Sequence, residues 1–272
     1  MQFIRHYLLA VQFFTRIPVT GRLAAWMGYS PARLRASAAH FPGVGWLVAA
    51  LACGVFALLF AALAGGPGAA LVAAVFSTAA TVWLTGGLHE DGLADVADGL
   101  GGSLERSRAL EIMKDSRIGA LGSLALALAL LAKVALLALL GHHGLGVVVV
   151  ALAGGHVLSR WWPLLLVRVL PHVGDAAQSK SKPLAGHISG AALGVAFLWC
   201  LLPLSLMVYW QDALFLIALA VAASACAFLA LWRLFARRLQ GFTGDCLGAT
   251  QQACEIAFYL GAAIAVAQGL AP

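Results

Sequence analysis

Seven of the eleven acidic residues fall between Glu90 and Asp115, so any acid–base or cation chemistry concentrates there. Its core is GGLHEDGLADVADGLGG, residues 86–102. Asp91, Asp95 and Asp98 follow one another at i, i+4 and i+7. At about 100° per residue of helix they share roughly 60° of arc. Like charges at that spacing repel, and something positive must offset them. Hard carboxylate oxygens suit Mg²⁺, Mn²⁺ or Ca²⁺, and Mg²⁺ commonly joins carboxylates to substrate phosphates. Glu90 points about 100° away from Asp91 and is a candidate for a second metal or for orienting a ligand. The ordinary alternative is a solvated acidic face. It is disfavoured because the stretch follows an apolar run directly, where uncompensated charge is costly, and because its six glycines suit close approach of a helix or phosphate better than a merely solvated helix. His89 is read as packing or capping before ligation.

Cations stand close by. EIMKDSRIGALG (111–122) offers Lys114 and Arg117 as a clamp on phosphate oxygens. Asp115 either adds a ligand or orients Arg117; local ion pairing alone would be worth little. Arg160, in Ser159-Arg160-Trp161-Trp162-Pro163, is a cation inside an apolar run, a functional candidate by position. Lys180 and Lys182 lie in SKSKPLAG (179–186), suited to phosphate or simply topogenic. In GFTGDCLGATQQACE (241–255), Thr243 supplies a hydroxyl and Asp245 a lone acid at a helix start. That turn can hold an anion, or Asp245 can serve only as an N-cap. Arg16, in FFTRIPVT (13–20), and His40, in HFPGVGW (40–46), sit at the membrane boundary, and Arg16 is a candidate substrate contact.

The elements that must position these groups are membrane spans. The 272 residues are 62% hydrophobic and only 10% charged, with mean hydropathy +0.93; soluble domains carry about 25% charged residues. Apolar runs long enough for a hydrocarbon core roughly 30 Å thick occur at 41–64, 68–86, 119–140, 144–170, 187–209, 213–236 and 253–271. The turns at 66–68, 141–144 and 212 hold no Lys or Arg, whereas the opposite loops hold nearly all of them. The expected protein is therefore an all-α, polytopic integral membrane bundle of about seven transmembrane helices with a cytoplasmic acidic helix. Residues 1–272 form one membrane-embedded catalytic domain, and the N-terminus and active face are cytoplasmic. The charge of +6 reads as topogenic, with the lipid bilayer rather than nucleic acid as partner. Residues 1–14 read as a short surface helix rather than a cleavable signal. Five cysteines without a CxxC pair argue against disulfides or zinc. No internal repeat suggests inverted transporter halves.

The series FFTRIPVT, HFPGVGW, GGLHEDGLADVADGL, EIMKDSRIGALG, SRWWP, SKSKPLAG and GFTGDCLGA resembles the adenosylcobinamide-GDP ribazoletransferase, or cobalamin synthase, family, in order from residue 13 to about 249. Thr20 departs from a frequent Pro, and Glu90 and Val96 fall at variable positions. The resemblance implies a Mg²⁺-dependent enzyme of the bacterial inner membrane. It would join adenosylcobinamide-GDP to α-ribazole or its 5′-phosphate, releasing GMP. On that reading Asp91, Asp95 and Asp98, with Glu90, hold the metal. Lys114, Arg117, Lys180 and Lys182 neutralise the departing phosphate, and Asp98 or Asp245 accepts the hydroxyl proton. Arg16, Asp115, Arg160 and Thr243 complete the substrate contacts. A CDP-alcohol phosphotransferase is the nearest alternative, but its DGxxAR…G…DxxxD pattern fails at Asp95-Val96 and no later DxxxD follows. A cation-coupled transporter is the other; its carboxylates would lie near the bilayer midplane. A homo-oligomer is allowed by the sequence but not specified by it.

Overall fold

The computed structural model describes residues 1–174, 188–211 and 214–269. Among the described residues, thirteen α-helices follow one another: α1 (Gln2–Phe14), α2 (Gly21–Met27), α3 (Pro31–Ser37), α4 (Phe41–Ala62), α5 (Ala69–Thr85), α6 (Leu88–Gly102), α7 (Arg106–Lys114), α8 (Ala120–His142), α9 (Leu145–Leu158), α10 (Trp162–Val169), α11 (Gly190–Gln211), α12 (Leu214–Arg238) and α13 (Gly244–Ala267). A 3₁₀ turn, Ala38–His40, joins α3 to α4. The only β feature among the described residues is an isolated bridge between His172 and Phe242.

Among the described residues each of the seven apolar runs is mainly helical, but their count as spans changes. Pro31–Ala62, Ala120–His142, Leu145–Val169 and Leu214–Arg238 are long and apolar enough to cross a membrane, and α5 with α6 makes a fifth if that bent pair is one span. Among the described residues the expected count of seven is not reached on these terms. Only Gly190–Leu202 counts as an apolar stretch of α11 among the described residues. The first half of α13 carries Asp245, Gln251, Gln252 and Glu255, which makes it a polar core helix sheathed by other helices. These spans turn apolar side chains outward: Leu58 and Leu131 are 70% and 65% exposed. That is the inverse of a soluble fold and fits hydrocarbon as the surrounding solvent.

Local chemistry sets the breaks. Ser30 accepts from the Arg33 N–H at 3.2 Å, capping α3, and Pro31 opens it. Gly86 and Gly87 both adopt φ of +72°, a left-handed conformation open to residues lacking Cβ. The chain turns by 90° there, so α6 leaves the line of α5. We read α6 as lying across one end of the bundle. It packs against α13, α8 and α7. Where α6 meets α13 the two backbones touch: a Cβ on Gly92 would lie 2.7 Å from the Asp245 carbonyl oxygen, and one on Gly248 would lie 3.3 Å from Gly92 Cα. At the N-terminus, α1 is helical as expected, with Leu9, Ala10 and Val11 buried and Phe3 and Ile4 exposed. The rings of Phe3 and Tyr7 stack on Trp199 at 5.7 and 5.5 Å.

Candidate active site

A cavity of about 450 Å³ opens where α1, α4, α6, α7 and α10 converge on the start of α13. Its charged lining is Asp91, Asp245 and Lys114, and Thr243 borders it too. Asp91 stands on the exposed side of α6. Asp245 sits in the first turn of α13, where Thr243 is the N-cap. The Thr243 hydroxyl donates to Asp245 Oδ2 at 3.2 Å. The strap carrying Thr243 is pinned by the Val173 N–H to the Phe242 carbonyl at 2.9 Å and the Phe242 N–H to the Pro171 carbonyl at 3.0 Å. Two loops far apart in sequence thus enclose the cavity from one side.

The carboxylates perturb one another. Burial pushes Asp95 up to about 7, and the charges of Asp245, Asp91 and Asp98 push in the same direction. Burial also raises Asp245, with Asp91 adding repulsion, while its hydrogen bonds from Thr243 and the backbone pull the other way. Four acids from two helices therefore act on a common region. Among the described residues, however, no group of three or more His, Cys, Asp or Glu is drawn together closely enough to hold a metal ion. That arrangement still fits Mg²⁺, which is typically held by one or two carboxylates and completes its shell with water and substrate phosphate.

The remaining candidates separate. Asp98 shares the arc of Asp91 and Asp95, yet its oxygens accept the Gly119 N–H at 2.7 Å and the Gly122 N–H at 2.8 Å. It caps α8 from a neighbouring helix, satisfying donors that a helix start leaves free. Asp115 and Arg117 pair with each other at 2.6 Å on the surface, Arg117 being 87% exposed. That pairing holds the Asp115 carboxyl down at about 2. Arg16 is exposed; its N–H donates to the Leu84 carbonyl at 2.7 Å, and its side chain lies over Gly86. Neither Arg16 nor Arg117 lines the cavity. Lys180 and Lys182 lie outside the described residues.

Glu90 and Arg160 turn inward to a buried polar network that the sequence reading missed as a unit. Lys133 on α8 meets Glu255 on α13 at 2.5 Å, both at most 2% exposed. Glu255 also receives hydrogen bonds from Gln251 at 2.6 Å and Tyr259 at 3.0 Å, and His156 lies 3.2 Å away. Gln252 links Gln251 to Glu90, donating to each at 2.9 and 3.0 Å. Arg160, 2% exposed, donates to the His156 carbonyl at 2.6 Å and places its guanidinium over the Phe41 ring. Two cations and two carboxylates sit together, so the interior is nearly neutral. Gln251, Gln252 and Glu255 at i, i+1 and i+4 across the start of the last apolar run were the available signal. His89 packs against Phe41, ring centroids 5.5 Å apart, as expected. All five cysteines are free thiols.

The family model for cobalamin-5-phosphate synthase matches residues 6–263. The chain belongs to that family. Among members of the cobalamin-5-phosphate synthase family, the adenosylcobinamide-GDP ribazoletransferase of Polaromonas naphthalenivorans is 62% identical over 98% of this chain and 100% of its own length. The proteins of the same name from Leptothrix cholodnii and Vibrio cholerae are 47% and 42% identical, over 94% and 93% of this chain and 94% and 91% of their own lengths. No solved structure matches the chain.

Proposed function

We propose that this protein joins adenosylcobinamide-GDP to α-ribazole or α-ribazole 5′-phosphate, releasing GMP, with Mg²⁺ as cofactor, at the cytoplasmic face of a bacterial inner membrane. The observation that carries the reading is the meeting of Asp91 from α6, Asp245 from α13 and Lys114 from α7 on one cavity, in a chain whose relatives bear that enzyme's name over nearly their whole length.

The transfer forms a bond from a ribose hydroxyl oxygen to the phosphorus that carries cobinamide. The bond from that phosphorus to the bridging oxygen of the diphosphate breaks, and GMP leaves with that oxygen. Catalysis of this kind is mostly positioning and charge neutralisation. Asp91 and Asp95 are the residues that would hold Mg²⁺, and the bound cation supplies neutralisation of the diphosphate charge. Asp245 accepts the hydroxyl proton. Burial and the charge of Asp91 raise its proton affinity above that of a surface aspartate, against the pull of its hydrogen bonds, the direction a general base needs. Lys114 attracts the departing phosphate. Asp98 keeps α8 and α6 in register and is a support for this centre.

Purified protein in lipid nanodiscs tests the assignment. GMP release that requires both adenosylcobinamide-GDP and α-ribazole, and that stops on chelation of Mg²⁺, is expected. CMP release from a CDP-activated lipid, without GMP release from the corrinoid donor, would replace the proposal with a phospholipid enzyme.

A further inference from the structure

From the size and lining of the cavity we infer that it is the subsite for the fused bicyclic base of α-ribazole, the smaller substrate, while the corrinoid stays outside it. The inference rests on the proposed function and asks which of its two substrates this cavity takes. Volume decides first. At about 450 Å³ the cavity lies toward the small end of the roughly 300–1,000 Å³ that accommodate drug-sized molecules. A nucleoside fits such a space; a cobalt corrinoid with its amide side chains and nucleotide does not.

The walls decide next. Phe14 and Phe41 stack on each other with centroids 4.0 Å apart and planes inclined by 23°, and both line the cavity. Met113 from α7 and Leu164 and Val167 from α10 add apolar wall. A benzimidazole bonded to ribose carries no ring N–H and one acceptor nitrogen, so an apolar slot removes few hydrogen bonds from it. Guanine carries an amide and an amino group, and burying those without partners is costly. The same lining therefore favours the lower-ligand base over the guanine of the donor. Asp91, Asp245 and Lys114 border the same space, so a ribose attached to a base held there has carboxylates within the cavity that receives it.

Leu164→Trp and Val167→Trp add bulk to the apolar wall and leave the charged residues of the cavity in place. In nanodiscs each is expected to raise KM for α-ribazole by about tenfold or more, with KM for adenosylcobinamide-GDP unchanged. A raised donor KM with α-ribazole unaffected overturns the subsite, because the cavity then serves the other substrate. A photoreactive α-ribazole on the wild-type protein gives a reading independent of folding in the variants. Label on peptides carrying Met113 or Leu164–Val167, competed by α-ribazole and not by GMP, supports the subsite; label confined elsewhere overturns it. Absence of GMP release from the wild type would overturn the proposed function itself, an outcome distinct from normal turnover with a donor-only effect in the variants.

Discussion

Three aspartates share one arc of α6, and the helix puts them to different uses because each meets a different neighbour. Asp91 borders the cavity, Asp95 is crowded by three like charges, and Asp98 is held by two backbone N–H groups of α8. Asp91→Asn is expected to lower turnover by about 10²-fold or more while leaving the melting temperature in nanodiscs nearly unchanged. Asp98→Ala is expected to act the other way round, costing about 1–3 kcal/mol of stability through the lost charge-assisted bonds, measured by thermal unfolding. Asp95 supplies a pH dependence. Its folded-state value of about 7 lies above the ordinary carboxylate value of 3.8. Between those values the folded protein binds more protons than the unfolded chain, so this group favours folding most at low pH and that contribution is lost as pH rises through about 7. Unfolding of the Mg²⁺-free protein followed across that window should show the slope, and Asp95→Asn should flatten it.

At the scale of elements, the site depends on α6 and α13 crossing at backbone contact. Gly92→Ala would drive a Cβ to 2.7 Å from the Asp245 carbonyl oxygen. A cost of about 1–3 kcal/mol for such overpacking is expected, with lower kcat because Asp245 rides on the displaced turn; unfolding and turnover measured on one preparation check both. Deeper in the bundle, Lys133, Glu255, Gln251, Gln252 and Glu90 run from α8 through α13 to α6. Lys133→Met leaves Glu255 buried without its cation and should destabilise by about 3–5 kcal/mol. Lys133→Met combined with Glu255→Gln removes both charges and should recover a large part of that loss. A double-mutant cycle reads the coupling directly.

At the scale of the molecule, Lys114 lines the cavity and Arg106 and Arg238 bridge α6, α7 and the end of α12 at the same end of the bundle, where α1, α4, α7 and α13 begin or finish, whereas the turn at 141–144 carries no Lys or Arg. Positive charge collects on the cytoplasmic side of inner-membrane proteins. In intact cells an impermeant thiol reagent should label His143→Cys from outside and should reach Leu104→Cys only after lysis. Labelling of Leu104→Cys from outside would invert the proposed orientation of the catalytic face.

Much of this was legible in the chain alone. Within the described residues the seven apolar runs are mainly helical, since hydrophobic length and the breaks at Gly66-Pro67-Gly68 and 141–144 are local properties. The acidic helix and the shared arc of its aspartates follow from periodicity, and the placing of Lys114, Thr243 and Asp245 on the same face as that helix follows from the charge of the loops. Tertiary structure decided the rest. Periodicity tells which side chains share a face, but not what that face meets. Asp98 is diverted to α8, Glu90 and Arg160 are drawn into the interior, and Asp115 and Arg117 are left pairing at the surface only because of where neighbouring helices pack. The apolar walls from α1, α7 and α10 are likewise invisible in sequence. In a membrane protein apolar residues serve lipid and cavity alike, and only three-dimensional placement separates the two.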